Sequence, residues 1–279
     1  MKVYTGKGWL SVKEQFYVII LLFLYRLMWG YCLYRIVKSA VVPLLMRFPD
    51  PAPNELSKLL FFYEGEMALS QSSDIHLYAW LLLGMLLVRM TLTPLIHAGI
   101  FYNLHQEVKG ERGLFFFQGM RKFWKPMTLF YMIETILIFT PAYLLLPKIL
   151  PPLLEAIREP SALLKAAPYL AGWLIYAQLL RLLLLYLQFG KTADDSGMLP
   201  SLLVFLRHIG KAALVSIIIG GTAMLIFLLL SGLSLFWSGL TGIIIQQASY
   251  FVSSLFQLWG VTAQFQVWHT HTHTHSQQP

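Results

Sequence analysis

The sequence predicts an all-α, polytopic integral membrane protein, a six-helix transmembrane bundle with interfacial amphipathic segments. Two observations carry that prediction. Only 12% of the 279 residues are charged, 57% are apolar and the mean hydropathy is +0.62, whereas a water-soluble domain carries about 25% charged residues. Six apolar stretches also reach the roughly 20 residues a helix needs to cross a hydrocarbon core about 30 Å thick. So few charges cannot coat a globule of this size, so a soluble enzyme, a disordered chain and a disulfide-rich secreted module are all poor fits. The single cysteine, Cys32, forms no intramolecular disulfide and no multi-cysteine metal site.

The six expected spans cover residues 16–35, 77–102, 127–147, 168–189, 212–231 and 240–266. The first is interrupted by Arg26, but its apolar run exceeds the 7–15 residues or so of a signal-peptide core and no small-residue cleavage site follows. It is read as a retained helix. Between the first two spans, Phe48-Pro-Asp-Pro-Ala-Pro-Asn54 ends any helix, and Asn54 is placed to cap a short interfacial helix through Leu69. The membrane domain is expected over 1–268 and a disordered His/Thr-rich tail over 269–279.

Orientation follows from the bases between spans. Lys2, Lys7 and Lys13, then Lys109, Arg112, Arg121, Lys122 and Lys125, then Lys191, Arg207 and Lys211 fall on one side, eleven in all. The other side carries seven: Arg35, Lys38, Arg47, Lys58, Lys148, Arg158 and Lys165. The richer side is expected in the cytoplasm, which makes the chain a multi-pass protein of the cytoplasmic membrane with both termini inside. The net charge of +8 then reflects positive-inside bias and attraction to anionic lipid headgroups; nucleic acid is not an expected partner.

Two segments resemble one another. Gly113-Leu-Phe-Phe-Phe-Gln-Gly-Met-Arg121-Lys-Phe-Trp-Lys125 and Gly197-Met-Leu-Pro-Ser-Leu-Leu-Val-Phe-Leu-Arg207-His-Ile-Gly-Lys211 both start on glycine and close on Arg-x-x-x-Lys before a span. In the first, Phe116, Phe117, Met120, Phe123 and Trp124 share a face opposite Gln118, Arg121, Lys122 and Lys125. Such a helix is expected to lie on the cytoplasmic leaflet, with Arg121, Lys122, Lys125, Arg207 and Lys211 at the lipid headgroups; a stop-transfer boundary with belt aromatics is the alternative. With the long loop after helix one, this layout resembles the uncharacterised six-helix bacterial integral membrane proteins related to the membrane domain of glycerophosphodiester phosphodiesterases. The resemblance covers most of residues 10–268 and is one of topology. In those proteins activity resides in a separate soluble domain, and this sequence lacks that domain's His-Arg-Gly opening, so the resemblance implies no phosphodiesterase activity.

Four ionisable groups interrupt the spans: Arg26, Arg89, Glu134 and Arg181. Each costs roughly 2.5–3.5 kcal/mol when central. Helical periodicity gathers Gln178, Arg181 and Gln188 within about 80° on one helix, and Arg89, Thr93, His97 and Asn103 within about 120° on another. A third has Gln246, Ser253, Gln257 and Gln264 within about 40°. These stripes are expected to face the bundle interior, and Arg26, Arg89, His97, Glu134, Arg181, Gln246 and Gln257 form the candidate intramembrane polar site. It has two readings: a polar route in which Glu134 pairs with an arginine, or interhelical hydrogen bonds and an ion pair that fix register.

No catalytic, nucleotide-binding or zinc-spaced motif is present, and no cofactor is called for. Asp194-Asp195 reads as a solvated turn. The alternating His269, His271, His273 and His275 put four imidazoles on one side of an extended strand and are weak metal candidates, with low-complexity drift as the alternative. The expected role is a non-enzymatic, membrane-embedded interaction or envelope-maintenance component. A homodimer or another membrane protein is the expected partner, and a small permease is the alternative.

Overall fold

A computed structural model describes residues 2–45, 73–111, 113, 115–155, 161, 163–193, 197–236 and 240–276. Seven helices fill them: α1 (Lys2–Glu14), α2 (Phe16–Leu45), α3 (Ser73–Val108), α4 (Phe116–Glu155), α5 (Leu163–Thr192), α6 (Met198–Phe236) and α7 (Leu240–Ser276). The expected interfacial helix at 54–69 and the Asp194-Asp195 turn lie outside the described residues. Five helices are long and apolar enough to cross a membrane, over Phe16–Ser39, Leu77–Val108, Phe116–Leu153, Leu163–Thr192 and Met198–Leu233. The α-class is therefore as expected; α7, where the sixth span was placed, does not stand among those five.

The reason lies in the composition of α7, which its packing allows. Its second half is rich in Gln, Ser and Thr, and Ser254, Leu258, Thr262, Ala263, Gln264, Phe265, Val267 and Trp268 are all buried. It packs against α1, α5 and α6, and a helix enclosed by protein is not required to be uniformly apolar as one facing lipid is.

The chain divides into two compact units, residues 1–19 with 93–279, and residues 20–92. In the larger unit, α5 packs against α4 and α6, and α6 packs against α7. An aromatic core joins Phe101, Tyr186, Phe189, Phe205, Phe265 and Trp268, each at most 2% exposed, with Phe189 edge-on to both Phe101 (5.2 Å) and Phe265 (5.3 Å). The short α1, unremarkable in composition, crosses α7 at Gly8. A Cβ there would lie 2.8 Å from the Ala263 Cα, so only glycine permits the approach. Thr262 Oγ1 donates to the Gly8 carbonyl (3.0 Å), and Trp259 Nε1 donates to the Thr5 carbonyl (3.0 Å). In the smaller unit, Tyr25 and Trp29 meet edge to face at 6.0 Å.

Helix α4 contains Pro126, Pro141, Pro147, Pro151 and Pro152. A proline inside a helix removes one N–H and frees the carbonyl four residues earlier. At Pro141 that carbonyl belongs to Leu137, and it receives the Tyr176 hydroxyl at 3.1 Å, while the next carbonyl, Ile138, receives Trp173 Nε1 at 3.2 Å. Tyr176 of α5 thus fills the gap in the α4 ladder and Trp173 bonds beside it, the kind of replacement that lets apolar helices hold proline.

Candidate functional site

The same α4–α5 seam carries the ion pair. Arg181 Nε donates to Glu134 Oε1 at 3.2 Å, in antiparallel register with Tyr176–Leu137 and Trp173–Ile138. The Arg181 side chain is 63% exposed and that of Glu134 20%. Glu134 and Arg181 therefore come together. His97 on α3 is half-buried, its ring 5.8 Å from that of Phe101. Arg26 and Arg89 both lie in the smaller unit. On α7, Gln246 is exposed and Gln257 half-buried.

The three polar stripes do not run inward along their whole length. Asn103, Gln188 and Gln264 are buried, while Arg89, Gln178, Arg181 and Gln246 are exposed. Periodicity assigns a face to a helix but not the length over which a neighbour covers it. The buried end of the α7 stripe forms a polar lock beside the aromatic core. Gln264 accepts from the Tyr186 hydroxyl (3.0 Å) and donates to the Ala212 carbonyl (2.7 Å) and Ser216 Oγ (3.1 Å). Trp268 Nε1 donates to Ser201 Oγ at 3.0 Å.

No family model matches the chain, and no curated protein or solved structure matches it either. Its chemistry is therefore read from its own residues.

The two basic segments are each continuous with the helix that follows, in different ways. Arg121, Lys122 and Lys125 are exposed on the first turns of α4, with Lys122 Nζ 5.4 Å from the Tyr102 ring centre and Lys125 Nζ 5.7 Å from that of Trp124. In α6 the helix breaks at His208 (φ −119°, ψ 22°), between Arg207 and Lys211. Beside that kink lies an apolar groove of about 520 Å³, walled by Leu203, Val204, Leu206, Arg207, His208 and His271.

At the His/Thr-rich end, α7 runs on to Ser276. Its threonines bond back within the helix, Thr270 to the Gln266 carbonyl (2.7 Å) and Thr272 to that of Trp268 (2.9 Å). Helical spacing sends alternating histidines to different sides. His269 stacks on Phe265 at 6.0 Å, whereas His271 lies 3.9 Å from the His208 ring centre and 3.1 Å from Lys211 Nζ. The side chains of His273 and His275 lie outside the described residues.

One polar cluster has no counterpart among the expected sites. Glu107 of α3 accepts from Ser11 Oγ (2.8 Å) and from Gln15 Nε2, and the Tyr17 hydroxyl donates to Asn103 Oδ1 (3.0 Å). Its sequence signals are Asn103, at the end of the α3 polar stripe, and Glu107, an acid closely following an apolar run.

Proposed function

We propose that this chain is a multi-pass protein of the cytoplasmic membrane, with six spans and both termini in the cytoplasm, acting without catalysis as a membrane-embedded interaction component. Its partner, a second copy or another membrane protein, docks on the α4–α5 face. The supporting observation is the 63% exposure of Arg181 amid exposed apolar neighbours such as Leu174 and Ile175. A guanidinium placed against lipid is costly, whereas one covered by a polar surface of a partner is not. The exposure of Arg89, Gln178 and Gln246 favours such an interface over a permease route, which would need those side chains enclosed. Arg121, Lys122, Lys125, Arg207 and Lys211 hold anionic headgroups at the cytoplasmic surface, and kinship with the six-helix proteins named above remains part of this reading.

The test is intramembrane crosslinking. Ile175→Cys in a Cys32→Ser background is expected to give a crosslinked adduct in native membranes, and Arg181→Gln to reduce its yield about tenfold, the scale of one charge-assisted contact. Undiminished crosslinking with Arg181→Gln, or no adduct in the Ile175→Cys protein, overturns the proposal.

A further inference from the structure

Arg181 and Glu134 sit side by side on the α4–α5 face, and their contact leaves most of the guanidinium unused. A guanidinium carries five N–H donors. Here the Nε donor meets Glu134 Oε1 at 3.2 Å, and among the described residues the two terminal nitrogens find no acceptor. Glu134 lies at the middle of the apolar run Phe116–Leu153, and Arg181 lies close to the middle of Leu163–Thr192. With these helices across a membrane, the four remaining donors stand in hydrocarbon, where no water satisfies them. They call for an acceptor, and an anionic one binds them most strongly.

The geometry of the pair selects that acceptor. Because the two side chains touch, they share one depth in the membrane. Two copies inserted in the same orientation are related by a twofold axis along the membrane normal, a rotation that exchanges left and right on the docking face and preserves depth. Acid beside base on one copy therefore meets base beside acid on the other. The four groups close into a ring of alternating sign, in which each Arg181 lies between the Glu134 of its own chain and that of the second copy. Any other partner would have to bring its own carboxylate to this depth, where an ionised side chain is costly; this chain already carries one. The surface around the pair suits helix-on-helix contact. Leu174 and Gln178, which share the Arg181 stripe within about 80°, and Ile133 and Leu137 beside Glu134 are all exposed.

We propose that the α4–α5 face binds a second copy of this chain about a twofold axis along the membrane normal, with each Glu134 accepting from the terminal nitrogens of the other copy's Arg181. This rests on the docking role of that face and names the partner it takes.

Photocrosslinking in native membranes that hold two differently tagged copies tests it, each copy carrying a thiol-attached photocrosslinker on Leu174→Cys in a Cys32→Ser background. The expected adduct carries both tags, and Glu134→Gln in both copies lowers its yield about tenfold. An exchanged chain, Glu134→Arg with Arg181→Glu, keeps an ion pair within the chain but reverses its order. Exchanged chains should crosslink to one another as native chains do. A native and an exchanged chain present like charges to each other, so their mixed adduct should fall by about tenfold or more. A pair acting only within its own chain would not produce that selectivity. If the exchanged chain fails to accumulate, the two-tag adduct and its dependence on Glu134→Gln decide alone. Adducts formed only with a different protein overturn the second copy and leave the docking role standing, whereas no adduct at all removes both. Equal crosslinking of native and exchanged chains, or an undiminished yield in Glu134→Gln, overturns the crossed pairs.

Discussion

Gln264 illustrates how a single polar side chain in an apolar helix can organise its surroundings. It satisfies Tyr186, the Ala212 carbonyl and Ser216 together at a site where it is 2% exposed. Replacement by leucine leaves the Tyr186 hydroxyl and the Ser216 region without that partner, a loss of about 1–3 kcal/mol for a buried unsatisfied group. Gln264→Leu is therefore expected to lower the thermal midpoint in detergent, and Tyr186→Phe to recover part of that loss in the double variant, because it removes the orphaned hydroxyl. Midpoints that simply add would show the two residues to be uncoupled. At this scale the sequence was informative about identity and silent about partners. Arg181 and Glu134 stood out because they are charges within apolar runs. Which arginine Glu134 meets depends on the α4–α5 register, and that register is fixed by contacts more than thirty residues apart in the chain.

Among the elements, the α4–α5 pair offers the sharpest test of cause. If Tyr176 is valuable because Pro141 frees the Leu137 carbonyl, Tyr176→Phe should cost about 1 kcal/mol in the native chain. In a Pro141→Ala background, where the helix supplies its own N–H to that carbonyl, the same change should cost little. Equal losses in both backgrounds, measured by unfolding in detergent, would refute the link. The glycine of α1 allows a second test. Gly8→Val cannot keep the Ala263 approach, so α1 should detach and its amides should exchange with solvent faster, while those of α5 stay protected. The long apolar helices were legible because their composition alone requires them. The α1 helix was not, since its value lies in small size at one position and in two carbonyls offered to α7, features with no hydrophobic periodicity. The continuation of α7 through the His/Thr run was hidden for a related reason: β-branched, polar residues carry weak helical propensity, and tertiary packing overrides it.

For the whole molecule, the arrangement of bases gives the expectation that can be checked most directly. Reporter fusions after Gly113 should report a cytoplasmic location and fusions after Ser161 an external one, in line with the eleven-to-seven division of Lys and Arg between the two sides. The reverse pattern would invert the orientation, and identical locations would remove the α4 crossing. Substituting Arg207 and Lys211 by glutamine should also weaken association with anionic vesicles by about 1 kcal/mol per charge, with neutral vesicles unaffected. Composition and charge order were sufficient to expect an α-helical chain rich in apolar segments. They could not foresee that the stripes would be buried at one end and bare at the other, because that depends on where helices converge.

The crossing of α1 and α7 has a consequence in time. Gly8 and Thr262 are joined across 254 positions of sequence, so α1 finds its seat only after α7 has emerged. At synthesis rates of about 5–20 residues per second, α1 waits on the order of tens of seconds with its glycine face and its Thr5 and Gly8 carbonyls unclaimed by α7. During that interval the nascent chain is open to whatever else can occupy them, and closure of α1 on α7 is the event that ends that exposure.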